Sequence, residues 1–447
     1  MGRQGDGRRA FPGGEPFGSS GGRDRDRRQL GRSPLTQQRR RPAPKALGRT
    51  PLDSVPIRVQ AAVYATGLFS ATQTGLVAVV VPLWLLHLDA GPLVIGFALG
   101  SFNLLPFLFS VHGGALMDRF GARRVMIAFA LMGAVSPLLF PLLPFIWAVF
   151  ALQMMVGLSS TMGWVGAQTL IGQLMKGSPR YAGRFTSVGV LGNMVGPPLA
   201  GAGWDFVGPW AAFGVLFAWT VLQLVAVLAL PPAAGGDVAE PHGRLQARDL
   251  KPDMESYISA FRLFALPMVA FVVMLSMVRL TGHSLQSSFY VVYLNGQGIT
   301  GTAIGLLLAT GAVAAAAGAL GAAPLARMMH SSWLLSVTSF VSFIALAVTP
   351  LLGIYVLFLA AQVARGASVG ISTPLIISEI SLAVGPHQGK AVGLRTMMNR
   401  LTSTLTPIAM GALVAWIGLD ESFAVVGVVI TVMTVGILCF GRAKGIL

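Results

Sequence analysis

From Val59 onward, long apolar blocks alternate with short polar breaks along the chain. An α-helix rises about 1.5 Å per residue, so about 20 apolar residues are needed to cross the hydrocarbon core of a bilayer. Twelve blocks have about that length or more, which predicts an all-α integral membrane protein with twelve transmembrane helices. Their approximate limits are residues 59–87, 92–113, 123–142, 145–173, 184–204, 209–231, 267–293, 301–324, 332–349, 351–379, 389–417 and 422–441.

The longest break, residues 232–266, follows the sixth block and is rich in Gly, Pro and mixed charge. It predicts two six-helix bundles, residues 59–231 and 267–447, joined by a cytoplasmic central loop. Residues 1–58 precede the first bundle and hold fourteen Lys and Arg, five acids and no apolar periodicity, which is typical of a disordered basic cytoplasmic tail. This tail could attract anionic lipid or nucleic acid, or reflect a translation start placed too far upstream; we expect a solvated tail and no nucleic-acid partner.

The composition excludes a water-soluble protein, because 54% of the residues are hydrophobic and only 11% are charged. The single cysteine, Cys439, excludes a disulfide framework and a thiolate metal site. The six histidines show no close zinc-binding spacing, so no metal and no cofactor is expected.

The distribution of charge predicts the orientation in the membrane. Apart from the tail, fifteen Lys and Arg fall in segments that would face the cytoplasm, and none falls in the predicted outer loops. Cations near helix ends are retained on the cytoplasmic side, so both termini are expected on the cytoplasmic side of the cell membrane. The outer loops carry acids instead: Asp89, Asp205, Asp420 and Glu421.

The two halves resemble one another in sequence. The segment 153–157, Gln-Met-Met-Val-Gly, aligns with 362–366, Gln-Val-Ala-Arg-Gly, and a Gly precedes a Pro by fourteen residues at both Pro197 and Pro407. Related six-helix halves enclose a site near the midplane that opens alternately to either side of the membrane. The alternative is a chance coincidence of Gly and Pro.

Between the second and third blocks, residues 114–124 read G-A-L-M-D-R-F-G-A-R-R. This segment resembles the G-x-L-x-D-R-x-G-x-R-R signature that major facilitator superfamily transporters carry in the same loop. The resemblance implies a twelve-helix transporter and a conformational latch that holds the halves together in the outward-facing state. The latch residues it implies are Gly114, Asp118, Arg119, Gly121, Arg123 and Arg124.

Elementary chemistry is consistent with a latch at this loop. Gly121 permits a tight turn, and Asp118 is an anion that could approach the positive end of a helix such as the eleventh. The corresponding segment of the second half, residues 321–327, lacks the acid, so any latch is asymmetric. Without the resemblance, the loop would be an ordinary basic cytoplasmic loop.

The fifth block resembles the G-x-x-x-G-P-x-x-G-G pattern of proton-coupled drug exporters through Gly192, Gly196, Pro197 and Gly201. The resemblance implies export, whereas generic helix packing is the alternative. Where those exporters often carry an arginine in the fourth helix, this chain has Gln153. Moreover, none of the first six blocks has an acid in its central portion, which leaves few groups to carry a proton. The titratable candidates are His112, His283 and Glu379.

Arg279, Arg365 and Arg400 lie well inside apolar blocks. A cation at the bilayer centre costs about 2.5 kcal/mol or more, so each should face protein, water or an anion. The alternative is that they bond helix-end carbonyls and fix helix register. The superfamily resemblance implies that helices 1, 4, 7 and 10 line a central cavity. The candidate substrate-binding residues are Gln73, Gln153, Trp164, Arg279, His283, Gln286, Arg365 and Arg400.

These observations predict a secondary transporter that moves a small organic solute by alternating access, and not an enzyme. We expect efflux of a drug-like or metabolite compound in exchange for protons. The alternative is uptake or exchange of an organic anion at an arginine-lined site without proton coupling, and a transporter-fold sensor or receptor is less favoured. The expected partners are the small-molecule substrate, the lipid bilayer and protons, with a monomer as the default state.

Overall fold

A computed structural model describes residues 55–175, 179–231, 261–384 and 388–447. Within these residues the chain forms α-helices and short 3-10 turns. The α-helices are α1 (Ile57–His87), α2 (Pro92–Ser101), α3 (Leu104–Phe120), α4 (Ala122–Leu142), α5 (Ile146–Leu174), α6 (Pro179–Phe206), α7 (Pro209–Leu228), α8 (Pro267–Gln286), α9 (Phe289–Gly296), α10 (Gly301–Met328), α11 (Ser331–Ala347), α12 (Tyr355–Val384), α13 (Gln388–Ile417) and α14 (Leu419–Ala443).

Each predicted block corresponds to one helix or to a broken pair of helices. The second block forms α2 and α3, which are interrupted at residues 102–103, and the seventh forms α8 and α9, interrupted at 287–288. In the described part of the chain, ten spans are long and apolar enough to cross a membrane. The other two positions are filled by the shorter α11 and by α6, which is richer in Gly, Pro and polar residues. The predicted all-α membrane fold is confirmed.

Helix limits differ from the predicted blocks by up to seven residues, as at the second block, which was expected to end at residue 113 and ends at Phe120. The tenth block was expected to begin at residue 351, but Thr349–Leu351 form a 3-10 turn and Gly353 has a φ of 51°, so α12 begins at Tyr355. Of the predicted central loop, Arg262–Ala265 form a 3-10 turn. The rest of that loop, residues 232–260, and tail residues 1–54 lie outside the described part.

The distribution of polar and apolar side chains is that of a protein surrounded by lipid. On α14, Val428 and Val432 are each 65% exposed. On α1, by contrast, Thr66 and Ser70 are fully buried and donate hydrogen bonds to backbone carbonyls of their own helix. Hydrocarbon tolerates exposed apolar side chains and cannot solvate polar ones, so the polar residues lie inside the bundle.

Glycines at the two aligned positions make the same kind of contact. A Cβ at Gly157 would overlap the carbonyl oxygen of Phe102, and a Cβ at Gly366 would overlap that of Gly311. We call helices α1–α7 the first half and helices α8–α14 the second half. In each of these two sets the absence of a side chain lets two helix backbones approach closely. The corresponding pairs are α5 against the break after α2, and α12 against α10.

The two halves meet tightly at the end of the bundle that is predicted to face outward. A Cβ at Gly305 on α10 would overlap the Pro197 carbonyl oxygen on α6, and a Cβ at Gly96 on α2 would overlap the Pro407 carbonyl oxygen on α13. The two prolines are those that the sequence alignment pairs. We call these contacts, together with that of Gly201 against Gly301, the outer seal.

A carboxylate strengthens the outer seal beside these glycines. Asp205, near the end of α6, accepts hydrogen bonds from the backbone N–H groups of Gly301 at 2.9 Å and Thr302 at 2.7 Å. It also accepts one from the Thr302 hydroxyl at 2.6 Å. The free N–H groups and positive end of a helix favour an anion. Asp205 thus caps α10 from the opposite half of the protein.

Candidate functional site

A cavity of about 710 Å³ lies between the two halves, below the outer seal. Its wall is built by α1, α2, α5 and α6 from the first half and by α8, α10, α12 and α13 from the second. Both helix breaks open onto it, through Phe102 and Asn103 and through Ser287 and Ser288. This volume lies within the range of pockets that enclose small organic ligands.

Three arginines line the cavity: Arg365 on α12, and Arg395 and Arg400 on α13. No aspartate or glutamate is among the lining residues in the described part of the chain. The acids whose side chains are described lie at helix ends or in connections, namely Asp89, Asp205, Glu379, Asp420 and Glu421. The described cavity wall therefore carries a net positive charge.

Arg365 is the most buried of the three arginines, with 5% of its surface exposed. Its Nε and Nη2 atoms have no hydrogen-bond partner among the described residues. One turn earlier on α12, Gln362 accepts a hydrogen bond of 2.7 Å from Nε2 of Gln286 on α8. A buried guanidinium with unused donors is costly unless a ligand or water satisfies them, so Arg365 is well placed to bind an anionic group.

Arg400 joins the two halves at the cavity wall. Its Nη1 atom donates a hydrogen bond of 2.9 Å to Oδ1 of Asn103, which lies at the break between α2 and α3. One branch of this guanidinium is therefore engaged in holding α13 against the first half.

The first half contributes uncharged groups to the cavity wall. Trp164 on α5 stacks on Phe185 of α6, with ring centroids 4.9 Å apart and an interplanar angle of 29°. Thr74 and Thr161 add hydroxyl groups nearby. The Ser160 hydroxyl donates a 2.9 Å hydrogen bond to the Ser70 carbonyl, which ties α5 to α1 behind this surface. This side of the cavity can hold a ring and bind hydroxyl or amide groups.

The structure brings most of the candidate substrate-binding residues to one place. Those that line the cavity are Gln153, Trp164, His283, Gln286, Arg365 and Arg400. Gln73 and Arg279 are not among the lining residues. Gln73 is fully buried within the first half, and neither of its amide atoms has a hydrogen-bond partner in the described part. Arg279 lies one position before Leu280, which faces the cavity.

Sequence reasoning missed Arg395, which was counted among the cytoplasmic cations. In the structure α13 begins at Gln388, so Arg395 lies two turns inside the helix and lines the cavity. Asn399 and Ser403, at successive spacings of four, line it as well. This polar stripe at helical spacing is the signal that would have identified Arg395.

The latch motif is described only in part. Gly121 has a φ of 84°, a backbone conformation that favours glycine, and it connects α3 to α4. Arg123 donates a hydrogen bond of 3.0 Å from Nη2 to the Leu228 carbonyl at the end of α7, and Arg124 is exposed. Gly114 lies within α3, whereas the side chains of Asp118 and Arg119 lie outside what is described, so the contact of Asp118 with a helix end stays a prediction.

The glycines of the α6 pattern face two different neighbours. Cβ atoms at Gly192 and Gly196 would overlap Thr72 of α1, within the same half. Pro197 and Gly201 belong to the outer seal.

The titratable candidates are separated in space. His283 is exposed to the central cavity, whereas Glu379 lines a smaller cavity with His330 and Ser332 at the other end of the second half. The side chain of His112 lies outside the described part. Of the two candidates whose side chains are described, His283 lies at the central cavity and Glu379 does not.

Comparison with known proteins identifies the family. The sequence matches the Major Facilitator Superfamily over residues 63–296 and 272–445. No curated protein sequence matches the chain. Among solved structures, the nucleoside transporter NupG is similar in fold, with a TM-score of 0.66 and 16% identity over 86% of this chain and 99% of that one.

Two further structures show the same fold. A POT family transporter solved with 5-aminolevulinic acid has a TM-score of 0.69 and 15% identity, over 86% of this chain and 96% of that one. A bacterial homolog of the human lysosomal transporter Spinster, solved in an inward-facing conformation, has a TM-score of 0.68 and 14% identity, over 87% of this chain and 98% of that one. The chain is a membrane transporter rather than an enzyme, and it belongs to the Major Facilitator Superfamily.

Proposed function

We propose that this transporter moves a small organic anion by alternating access at the central cavity. The observation that carries the proposal is the lining of Arg365, Arg395 and Arg400 without a described carboxylate. Each arginine removed from water costs several kcal/mol unless an opposite charge or hydrogen-bond acceptors compensate it. An anionic substrate supplies both, and the cationic wall attracts it electrostatically.

The same lining argues against coupling through a carboxylate in the cavity. A proton-coupled exporter needs a titratable group that is alternately exposed to the two sides, and among the described lining residues His283 is the group suited to that role. Efflux in exchange for protons is the second candidate function. It is favoured by the resemblance of residues 192–201 to the exporter pattern.

Two measurements test the proposal. Purified protein is first screened against anionic, neutral and cationic compounds by thermal stabilisation, and the best compound is then assayed for flux in proteoliposomes with and without a pH gradient. We expect anions to stabilise the protein and to be taken up without the gradient. Stabilisation by neutral or cationic compounds alone would contradict anion transport. Uptake that requires the lumen to be more acidic than the medium, so that protons leave as the substrate enters, would favour exchange for protons.

Alternating access requires the outer seal to open, and Asp205 should oppose that opening. Asp205→Ala removes three hydrogen bonds across the seal. Because Asp205 is exposed, we estimate the loss at about 1 kcal/mol, which corresponds to a roughly fivefold shift towards the outward-open state. In a background with Cys439→Ser, a cysteine placed at cavity residue Thr74 should react about fivefold faster with an impermeant thiol reagent added outside.

The matched control for this prediction is Asp420→Ala. Asp420 is also an exposed acid at a predicted outer helix end, but it lies in the first turn of its own helix, α14. The control should leave the labelling rate unchanged. Equal rates in wild type and Asp205→Ala would show that the cap does not hold the seal closed.

On the basis of the charge distribution, we also propose that the protein lies in the cytoplasmic membrane and that both of its termini face the cytoplasm. The prediction is tested with single cysteines introduced at the exposed residues Arg124 and Asp420 in the Cys439→Ser background. In intact cells an impermeant reagent should label the cysteine at residue 420 and should reach residue 124 only after permeabilisation. The reverse pattern would invert the proposed orientation.

A further inference from the structure

Charge is distributed unequally between the two sides of the cavity. The cations Arg365, Arg395 and Arg400 all belong to α12 and α13 of the second half. The lining residues that the first half contributes, from α1, α2, α5 and α6, include no ionisable side chain in the described part. A ligand that fits this cavity must therefore present different chemistry to its two sides.

The second-half side of the cavity, with Arg365, Arg395 and Arg400, carries more positive charge than a single negative charge on a ligand would neutralise. Arg279, which lies on α8 one position before the cavity-lining Leu280, is a further cation of the same half. Its Nε atom, like Nε and Nη2 of Arg365, is buried without a hydrogen-bond partner among the described residues. A singly charged ligand would leave most of this charge uncompensated in a medium of low dielectric constant, whereas a doubly charged head group also brings several acceptor oxygens.

The opposite side suits an uncharged, ring-bearing body. Trp164 is half-buried, is held by its stack on Phe185, and faces the cavity. Gln153 is 1% exposed, lines the cavity, and its Oε1 atom has no hydrogen-bond partner in the described part. An aromatic side chain that faces the cavity provides a stacking surface, and an unused acceptor about three turns away along α5 provides a hydrogen bond, so neither requires a charged ligand.

We propose that the substrate is an organic dianion with a charged head and an uncharged body. Its doubly charged head, of the phosphomonoester or dicarboxylate type, binds the arginines of the second half, and its uncharged body lies against Trp164 of the first half. This proposal rests on the proposed function, anion transport, and adds the charge and the orientation of the substrate. A substrate bound in this way touches both halves and is positioned to respond to their relative movement.

The charge of the head is tested with two compounds of nearly equal shape. At pH 8 phenyl phosphate is a dianion because its second pKa is about 6, whereas phenyl sulfate is a monoanion. Binding to the purified full-length protein is measured by calorimetry, and we expect phenyl phosphate to bind at least tenfold more tightly. That preference should shrink at pH 5, where the phosphate ester carries about one charge. Phthalate tests the dicarboxylate type. Whichever of phenyl phosphate and phthalate binds more tightly shows which type of head group the site prefers.

The orientation is tested with variants at the two sides. Trp164→Leu should weaken phenyl phosphate binding about fivefold and leave the binding of inorganic phosphate unchanged, because inorganic phosphate has no body to contact the ring. Arg365→Gln should weaken both. The control is Trp147→Leu, since Trp147 is 81% exposed on the outer surface of the bundle.

The possible failures are distinguishable. Equal affinities for phenyl sulfate and phenyl phosphate at pH 8 would contradict the proposal that the substrate is a dianion, and they would not contradict anion transport. An unchanged affinity of Trp164→Leu for phenyl phosphate would overturn the orientation. If none of the anions bound at 10 mM, or if neutral benzyl alcohol bound as tightly as they did, both this proposal and the proposed function would be overturned.

Discussion

Replacing Arg365 by Gln is expected to weaken binding of the transported anion by about 100-fold. Arg365 is 5% exposed, and two nitrogen atoms of its guanidinium have no partner among the described residues. Each hydrogen bond between charged groups contributes about 1.5 kcal/mol or more, so the loss of two amounts to about 3 kcal/mol. At 1.36 kcal/mol per factor of ten, this is a reduction of about two orders of magnitude.

The measurement is a titration of the best anion from the stabilisation screen against purified wild type and variant. Arg365→Lys should fall between them, because it keeps the charge and loses the planar fork of donors. Arg327→Gln serves as the control, since Arg327 is exposed at the end of α10 and does not line the cavity. An unchanged affinity in a folded Arg365→Gln variant would assign Arg365 a structural role and remove the main support for anion binding.

The helices could be predicted from the sequence because lipid imposes a simple requirement. A span must be apolar over a fixed length, and the blocks that meet this requirement match the helices of the structure to within seven residues at each end. The breaks at residues 102–103 and 287–288 could not be predicted in this way. These helices are interrupted where their backbones border the cavity, and the hydrophobicity of a segment cannot predict what its backbone contacts.

The candidate site was accessible to sequence reasoning only in part. Isolated arginines within apolar blocks marked Arg365 and Arg400, since an unexplained charge in lipid indicates a polar environment. Rotation of a helix about its axis was harder to infer. Gln73 precedes the cavity-lining Thr74 by one position on α1, and a shift of one position turns a side chain by about 100°. Arg279 shares a helix face with the cavity-lining His283 and Gln286, at spacings of four and seven, and lies one turn earlier on α8 than the nearer of them. Arg395 was missed because a cation near a helix end resembles an ordinary cytoplasmic anchor.

Replacing Gly305 by Val is expected to reduce the transport rate by more than tenfold, because the larger side chain prevents the outer seal from closing. The backbone of α10 can approach the Pro197 carbonyl only because Gly305 has no Cβ. A branched side chain inserted into such a contact costs about 2 kcal/mol or more. If the closed seal alone bears that cost, the ratio of closed to open states falls roughly thirtyfold.

The variant should therefore bind substrate while cycling slowly, and the cysteine at Thr74 should become more reactive from outside. Gly96→Val, at the aligned contact with the Pro407 carbonyl, should have the same effect, because both contacts close the same end of the cavity. Gly214→Val is the matched control: it makes the same substitution within helix α7, where a Cβ would meet no atom within 4 Å.

A general loss of folding would also abolish transport, so thermal stability and labelling must be measured together. A stable Gly305→Val protein that labels faster from outside supports the seal as the gate. A stable variant with normal transport would mean that the halves do not need this close approach during the cycle. Reduced labelling from outside would contradict the mechanism, because a contact that forbids closure of the outer end must leave the cavity more accessible on that side.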